Sequence, residues 1–374
     1  MANRRNDGID AQLKMLREGG PICFPQLVIF QCLGNNNIAD YEDTHMAVCC
    51  FLSNIEMGLG KKDEYVYATM YYAVQAIAKQ LSVKNIDVLK NKAEFYPFHE
   101  TVLPLILDNA KEFIKLIKRL DIDDLVTILL KAHFMNGYNG GEFKRSHALM
   151  NECMLGLENH EDHETTYADF GSGYGDFMTL LAACGMPCKQ AYAFDLDDTA
   201  IQVCSARLGV MQNNAKVIKQ DIFDGDFSDK FDRIFCEPSF DVNYDKIPQA
   251  YIDSVNERFN RNLTADDSDW LFALTVAEHL TENGKALVMV RQSSLDNDNT
   301  EAGRRLLLEQ KYISGVVSLP AYYSRNKEKL AIVVLRKDSK EVSLFDETDV
   351  DNRGDEIQHD NYSNDKLIQI LKSL

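Results

Sequence analysis

The sequence predicts an α/β protein in which a Rossmann-like, doubly wound sheet of seven strands follows a helical N-terminal domain. From residue 165 onward, the apolar pattern changes from a helical period to short strands that alternate with helices, as in doubly wound sheets. A glycine-rich loop follows the first of these strands and leads directly into a helix. We therefore expect a helical domain over residues 1–140, the α/β domain over 141–346, and an acidic linker with a short helix over 347–374.

Apolar residues at intervals of three and four predict that the N-terminal domain is helical. Prolines separate the helical stretches, which span residues 9–17, 43–57, 64–81, 102–120 and 123–134. A glycine-rich stretch over residues 136–146, which contains Phe143 and Arg145, links this domain to the next. Taken alone, this stretch has the composition of an interdomain loop.

The α/β domain is expected to contain seven strands, over residues 165–170, 190–196, 215–222, 231–236, 285–291, 313–319 and 330–336. The last two have no long helix between them, so we expect an antiparallel hairpin at the edge of the sheet. An extra strand over residues 342–345 would extend that edge. Ligands of such sheets bind beyond the carboxyl ends of the parallel strands, so the residues at those ends are the candidates for a functional site.

The glycine-rich loop indicates a nucleotide-type pocket, because glycines permit positive φ and a close approach of the backbone to a ligand. A dinucleotide-binding loop, G-x-G-x-x-G, seats a pyrophosphate on the helix N-terminus. This loop instead reads D-F-G-S-G-Y-G, and the Asp169 carboxylate would repel a pyrophosphate but attract the ammonium of a methionyl group. We therefore expect S-adenosylmethionine as the cofactor, with its methionyl part held by Asp169, Gly171, Ser172 and Gly173. A glycine-rich turn without a ligand is the alternative.

Acidic residues also follow the second and third predicted strands. Asp195 ends the second strand, where its carboxylate can accept hydrogen bonds from both ribose hydroxyls, and a helix N-cap is the alternative role. Asp221 ends the third strand, where it can accept a hydrogen bond from the adenine amine while Ile222 or Phe223 packs on the ring. A turn-forming aspartate is the alternative role for Asp221, because further turn residues follow at once.

The fourth predicted strand ends in the sequence C-E-P-S-F, which contains Glu237, Pro238 and Phe240. The chain resembles the adenine-N6 DNA methyltransferases in the order of its motifs. A glycine loop comes first, acidic strand ends follow, and an x-P-x-aromatic sequence then ends a strand. The closer resemblance is to the modification subunit of type I restriction systems. It extends over residues 100–345 and includes G-G-E-F, D-W-L-F-A-L, N-G-K-A-L-V-M-V and V-V-S-L-P-A-Y-Y. The resemblance implies a class I methyltransferase fold.

The resemblance also implies methyl transfer from S-adenosylmethionine to the amine of an adenine flipped out of DNA. The family's tetrapeptide is Asn, Asp or Ser, then Pro-Pro, then an aromatic, and its first two residues accept the amine protons while the aromatic stacks on the base. By this resemblance Glu237, Pro238 and Phe240 hold the acceptor. Upstream, after Phe143, the family's Thr-Pro is replaced by Arg145-Ser146, and Arg145 can still clasp the methionyl carboxylate. The chain departs from the pattern at Glu237 and at Ser239, which replaces the second proline.

Charge and composition bear on the partners. The net charge of −18, from 40 basic and 58 acidic residues, opposes autonomous binding to a polyanion, so we expect DNA recognition through a separate specificity subunit in a hetero-oligomer. We expect the chain to have no recognition module of its own. The nine cysteines form no C-x-x-C pair and no metal site, which is typical of reduced core thiols in a cytoplasmic protein. No apolar run reaches the ~18 residues of a membrane span.

Three functions remain open on the sequence. The first is an active DNA adenine methyltransferase, the second a methyltransferase for another amine such as a protein side chain, and the third a non-catalytic cofactor-binding or assembly protein. The chain ends in a predicted helix over residues 365–374 with four apolar residues, Leu367, Ile368, Ile370 and Leu371. We expect this helix to dock on the body of the protein, and docking on a partner is the alternative.

Overall fold

A computed structural model of the chain describes residues 153, 156–157, 163–183, 188–210, 215–238, 247–319, 328–346 and 364–374. The predicted helical N-terminal domain over residues 1–140 lies outside the described residues. So do Phe143, Arg145, Ser239 and Phe240.

The described part of the chain alternates strands and helices, as the sequence predicts. The strands are Thr166–Phe170 (β1), Gln190–Asp195 (β2), Lys216–Lys219 (β3), Phe231–Cys236 (β4), Leu280–Arg291 (β5), Ile313–Ser318 (β6), Leu330–Leu335 (β7) and Ser343–Asp346 (β8). The helices are Asp176–Ala183 (α1), Asp198–Val210 (α2), Gln249–Phe259 (α3), Ser268–Glu278 (α4), Ser293–Asp296 (α5), Glu301–Glu309 (α6) and Asn364–Ser373 (α7). Helices α1 and α2 belong to one compact unit, and the sheet with the remaining helices belongs to a second.

The strands form one mixed sheet in the order β3-β2-β1-β4-β5-β7-β6-β8. Strands β1 to β5 run parallel, β7 is antiparallel to its neighbours β5 and β6, and β8 is parallel to β6. The strand order reverses beside β1, which is the position where ligands bind in open α/β sheets. The expected antiparallel hairpin of β6 and β7 is confirmed.

One expectation about the sheet is confirmed and one is wrong. The extra strand expected over residues 342–345 is present as β8, which pairs with β6 at the edge and brings the sheet from seven strands to eight. The third strand stops at Lys219, not at residue 222, because the chain turns at Asp221, whose Oδ1 accepts a hydrogen bond from the Phe223 N–H (2.9 Å). Asp221 and Ile222 therefore lie in the loop beyond the carboxyl end of β3.

The core of the sheet unit is aliphatic and aromatic. Strand β7 is buried along its whole length, which explains its unbroken apolar sequence LAIVVL. The rings of Phe194 and Phe231 lie 5.6 and 5.9 Å from that of Phe170, respectively. Trp270 is 1% exposed, and its indole N–H donates to the Ser294 carbonyl (3.2 Å). This packing fixes the strand ends from which the site loops emerge.

The C-terminal helix α7 docks on the sheet unit, as expected. Leu367 and Leu371 are fully buried, and a side chain at Gly156 would collide with Leu371 at 2.7 Å. A side chain at Gly315 of β6 would likewise collide with the Leu374 side chain at 2.5 Å. The Lys285 ammonium on β5 donates to the carbonyls of Gly156 and Leu371.

Candidate active site at the carboxyl edge of the sheet

The pairing of three adjacent parallel strands brings the predicted motifs together. Strand β1 pairs with β2 on one side and β4 on the other, so that Phe170 lies beside Phe194 and Cys236. The next residues in the three strands are Gly171, Asp195 and Glu237. The Glu237 carbonyl oxygen lies 3.9 Å from the position that a Gly171 side chain would occupy. The glycine loop and the start of the Glu-Pro-Ser-Phe motif are therefore neighbours.

The end of β2 holds the glycine loop through its backbone. The N–H groups of Gly171 and Ser172 donate to the Phe194 carbonyl at 3.0 and 2.9 Å, and the Gly173 N–H donates to Asp195 Oδ2 at 2.8 Å. Gly171 and Gly173 have φ values of +75° and +51°, in the left-handed region that glycine adopts without strain. Since three consecutive N–H groups are occupied, this loop does not form the anion cradle of a pyrophosphate-binding loop.

Asp195 connects the glycine loop to the turn that follows β2. Its second oxygen, Oδ1, accepts a hydrogen bond from the Asp197 N–H at 2.9 Å. Helix α2 begins at Asp198, three residues later, so this bond closes a turn before the helix. Each carboxylate oxygen has a second lone pair, so both could still accept a ribose hydroxyl.

The segment after β3 contributes Asp221 and Ile222. The Gln220 N–H donates to the Asp195 carbonyl (3.0 Å), so this loop is joined to the end of β2. Asp221 has the turn-forming role that the sequence left open, through its bond to the Phe223 N–H. Ile222 is 8% exposed and belongs to the hydrophobic core of the sheet unit.

Ser172 has the features of a ligand contact. Its side chain is 7% exposed, and its Oγ has no hydrogen-bond partner among the residues that the structure describes. A buried hydroxyl without a partner is costly, and a polar group of a ligand would remove that cost. The side-chain position of the adjacent Gly173 has no atom within 4 Å among those residues. Both observations fit a small polar ligand against this loop.

Negative charge collects at the carboxyl end of β4. Burial raises the pKa of the Cys236 thiol well above its ordinary value, and the carboxylates of Asp169, Glu237 and Asp269 raise it further. Asp169 is 2% exposed. A buried carboxylate such as that of Asp169 attracts a cationic ligand, and S-adenosylmethionine carries both a sulfonium and an ammonium. The same field keeps the Cys236 thiol protonated.

Sequence reasoning missed an ion pair beside this end of β4. Arg291, the last residue of β5, donates from Nε and Nη2 to the two oxygens of Asp269, each at 3.0 Å. Asp269 also accepts a hydrogen bond from the Ser294 hydroxyl (2.5 Å), and burial raises the pKa of its carboxyl. No local pattern reveals this pair, because residues 22 positions apart meet only in the folded sheet.

The described residues contain neither a helix that could span a membrane nor a group of side chains that could hold a metal ion. No described helix is long and apolar enough to cross a membrane. No group of three or more histidine, cysteine or acidic residues in the described ranges is arranged to hold a metal ion.

Comparison with known structures shows that this fold is similar to that of methyltransferases. The type I restriction-modification methyltransferase subunit from Streptococcus thermophilus matches with 13% identity and a TM-score of 0.57, over 89% of this chain and 93% of that one. A protein described as a class I S-adenosylmethionine-dependent methyltransferase from Listeria monocytogenes matches with 13% identity and a TM-score of 0.49, over 75% and 91%. The type IIG restriction endonuclease BpuSI matches with 14% identity and a TM-score of 0.46, over 86% and 40%. No curated protein sequence matches this chain.

The sequence model of one protein family matches the part of the chain that follows the glycine loop and helix α1. The N-6 DNA Methylase model matches residues 186–372, half of the 374-residue chain, and this match includes Asp195, Asp221, Glu237 and the C-terminal helix. The TM-score of 0.57 shows that the Streptococcus thermophilus subunit shares the fold of this chain. The chain therefore belongs to the N-6 DNA methylase family, and its activity is S-adenosylmethionine-dependent methylation of adenine N6 in DNA.

Proposed function

We propose that the residues at the carboxyl edge of β1, β2 and β4 carry out this methyl transfer, and that the chain is the modification subunit of a restriction-modification system. The observation that supports this assignment is the register of β1 and β4, which makes the glycine loop and Glu237 neighbours. A cofactor on the loop and an acceptor base at Glu237 would then lie side by side. Such proximity accounts for a large part of the rate in group transfer.

The glycine loop and the neighbouring strand ends would bind S-adenosylmethionine. Asp169 would bind the methionyl ammonium, with Gly171, Ser172 and Gly173 against the rest of the methionyl part. Asp195 would accept the ribose hydroxyls. The proposal also includes Asp221 and Ile222 at the adenine ring, and Phe143 and Arg145 at the methionyl carboxylate. The unsatisfied Ser172 hydroxyl and the carboxylates around Cys236 support the first part of this assignment.

Glu237, Pro238 and Phe240 would position the adenine. The Glu237 carboxylate and the Pro238 carbonyl would accept the two protons of the amine, which directs the nitrogen lone pair at the methyl group, and Phe240 would stack on the base. The bound cofactor supplies an electrophilic methyl group on its sulfonium. Methylation requires the amine nitrogen to lose one proton, and the Glu237 carboxylate would accept it and pass it to solvent.

A glutamate at position 237 changes the geometry but keeps the chemistry. Its carboxylate accepts a hydrogen bond as the oxygen of Asn, Asp or Ser does, and, like that of Asp, it is a stronger acceptor than Asn or Ser because it is charged. The additional methylene moves the oxygen by about 1 Å, and misplacement of that size can cost on the order of a hundredfold in rate. The Glu237 carbonyl beside Gly171 would then be the fixed point, while the side chain reaches the base.

The substrate is DNA, and we propose that a separate specificity subunit supplies most of the contacts with it. The net charge of −18 supports this division, because phosphate contacts require clustered Lys and Arg. The Streptococcus thermophilus protein is a methyltransferase subunit of a type I system, which fits a hetero-oligomer. Family membership does not favour the alternatives of a non-DNA amine or a non-catalytic protein. We place the complex in the cytoplasm, with the DNA.

A test in native cells avoids the need to identify the partner first. Genomic DNA from cells with the wild-type gene should contain N6-methyladenine at a set of sites that disappears when Glu237 or Phe240 is replaced by alanine. Lys337→Ala, a change at a lysine that pairs with Glu282 near the surface, serves as the control and should leave the sites methylated. Sites that stay methylated in Phe240→Ala cells would show that the acceptor site is assigned wrongly.

A further inference from the structure

Arg207 of helix α2 is a buried cation in contact with the backbone that continues the glycine loop. Its side chain has no exposed surface, and its Nη1 donates to the Tyr174 carbonyl and to Asp176 Oδ1, each at 2.6 Å. Asp176 is the first residue of helix α1 and is about a third exposed, at 29%. Burying a guanidinium is costly unless it is paired, so the arrangement depends on these contacts.

The segment that Arg207 contacts cannot fix its own conformation. Tyr174 lies between Gly173 and Gly175, which have φ values of +51° and +79°. Glycine populates positive and negative φ about equally, so a chain with two glycines around one residue has many accessible conformations. A hydrogen bond to the carbonyl between them, from a side chain fixed by burial, selects one conformation.

A second contact from the same helix restrains the same segment. A side chain at Gly175 would meet Cys204 Sγ at 2.4 Å, so Gly175 packs directly on helix α2. Cys204 and Arg207 are three residues apart and therefore lie on one face of α2. Both are almost fully buried, at 0% and 1% exposure. One face of α2 thus holds the three residues from Tyr174 to Asp176.

We infer that Arg207 is a positioning residue for the cofactor loop and determines the affinity for S-adenosylmethionine without touching it. The inference rests on the proposed role of Gly171, Ser172 and Gly173 in cofactor binding. Arg207 holds the carbonyl of Tyr174, the residue bonded directly to Gly173, so the chain is restrained at the first residue after the loop. Without Arg207 the loop would sample other conformations, and binding would have to select the competent one.

Two substitutions at one position test the inference. Arg207→Met removes both hydrogen bonds, whereas Arg207→Lys keeps the charge and a donor on a shorter side chain. We expect Arg207→Met to raise the Kd and the KM for S-adenosylmethionine by on the order of tenfold or more, with the KM for DNA unchanged. Arg207→Lys should recover part of that loss. Gly175→Ala displaces the same segment without changing a charge and should raise the same two constants.

The control is a side-chain hydrogen bond of similar length at the amino end of the parallel strands, away from the glycine loop. Thr281 donates to Asp232 Oδ1 (2.8 Å) near the start of β5, and Thr281→Val removes that bond. This variant should have the wild-type Kd for S-adenosylmethionine. Calorimetry with S-adenosylmethionine and steady-state kinetics with the complete complex give the constants.

The result separates positioning from stability. If Arg207 served only stability, Arg207→Met and Arg207→Lys would lower the active fraction and the apparent kcat while both KM values and the Kd stayed at wild-type values, and that result would overturn the inference. Gly175→Ala with a wild-type Kd would also contradict it. If the wild-type chain itself does not bind S-adenosylmethionine, the proposed cofactor site fails, and the inference fails with it.

Discussion

Asp195 has more contacts in the folded chain than its sequence context suggests. The strand-end position predicted a ribose contact or a helix cap, and the structure shows a carboxylate that holds both the Gly173 and the Asp197 N–H groups. These contacts depend on the register of β1 and β2, which the local sequence does not specify. A single residue therefore orders the loop, and we propose that it also contacts the cofactor.

Replacing Asp195 should affect binding in graded steps. Asp195→Ala removes both hydrogen bonds and the proposed ribose contacts, so we expect S-adenosylmethionine affinity to fall by on the order of a hundredfold or more. Asp195→Asn has one acceptor oxygen in place of two and should lose less. Calorimetric titration measures both, with Asp226→Asn as a control for loss of an exposed negative charge. An Asp195→Ala variant that binds as tightly as the wild type would remove this residue from the site.

Glu237 should act on the chemical step and not on cofactor binding. Glu237→Gln keeps one acceptor oxygen but removes the charge and the capacity to take a proton, so kcat should fall by about 10- to 100-fold. The Kd for S-adenosylmethionine should stay within about twofold of the wild-type value, since the proposed cofactor contacts lie on other residues. Single-turnover kinetics with DNA separate the two effects. A raised Kd with an unchanged kcat would assign Glu237 to the cofactor instead.

Residues at the carboxyl edge of the sheet differ in how well the sequence predicted their positions. The positions of Asp169 and Glu237 were predicted, because each lies at the end of an apolar strand beside a recognisable motif. Arg207 and the pair of Asp269 and Arg291 were not, because their partners lie 22 to 33 residues away and only the tertiary structure joins them. For Asp221 the sequence predicted the position but not the role, because a ligand contact and a turn-forming aspartate have the same sequence pattern.

At the level of elements, the strands were predicted well and their ends less well. Strand β4 has the expected bounds, since four of its six residues are apolar and buried and it pairs with β1 and β5 on its two sides. Strand β3 is shorter than expected because half of its residues are exposed and a side-chain hydrogen bond begins a turn after it. Strand β5 starts five residues earlier than expected, at Leu280, because its first residues pair with the start of β4 in spite of their polar character.

The docking of helix α7 should make stability depend on pH through Lys285. Burial, together with the nearby charges of Arg336, Arg233 and Lys372, lowers the pKa of Lys285 from 10.5 to about 7. Between these two values the unfolded chain binds a proton that the folded chain does not, so the free energy of unfolding should rise with pH. The slope for one proton approaches about 1.4 kcal/mol per pH unit. Below pH 7 the contribution should be constant and least favourable.

Urea unfolding at pH 7 and pH 9 gives the change in the free energy of unfolding with pH, which is compared between the wild type and Lys285→Met. The wild type should gain stability over that interval relative to Lys285→Met, which has no proton to lose. Lys337→Met removes a lysine that pairs with Glu282 near the surface and should follow the wild type. Identical pH dependence in the wild type and Lys285→Met would mean that Lys285 stays charged in the folded protein.

At the scale of the whole molecule, we expect the net negative charge to weaken the binding of the chain alone to DNA. A chain with a net charge of −18 should bind duplex DNA alone with a Kd weaker than about 10 µM at physiological salt. The affinity of a complex with a basic specificity subunit should be far higher and should fall steeply with added salt. Fluorescence anisotropy with labelled DNA measures both. Tight, salt-sensitive binding by the chain alone would show that it needs no such partner.

The binding of S-adenosylmethionine to the full chain is the most direct test of the site described here. Calorimetric titration should show one cofactor bound per chain by the wild type, and no measurable binding by Asp195→Ala under the same conditions. Binding by both proteins would mean that the cofactor lies elsewhere in the chain. No binding by a folded wild-type chain would contradict the assignment of the glycine loop and of every residue grouped around it.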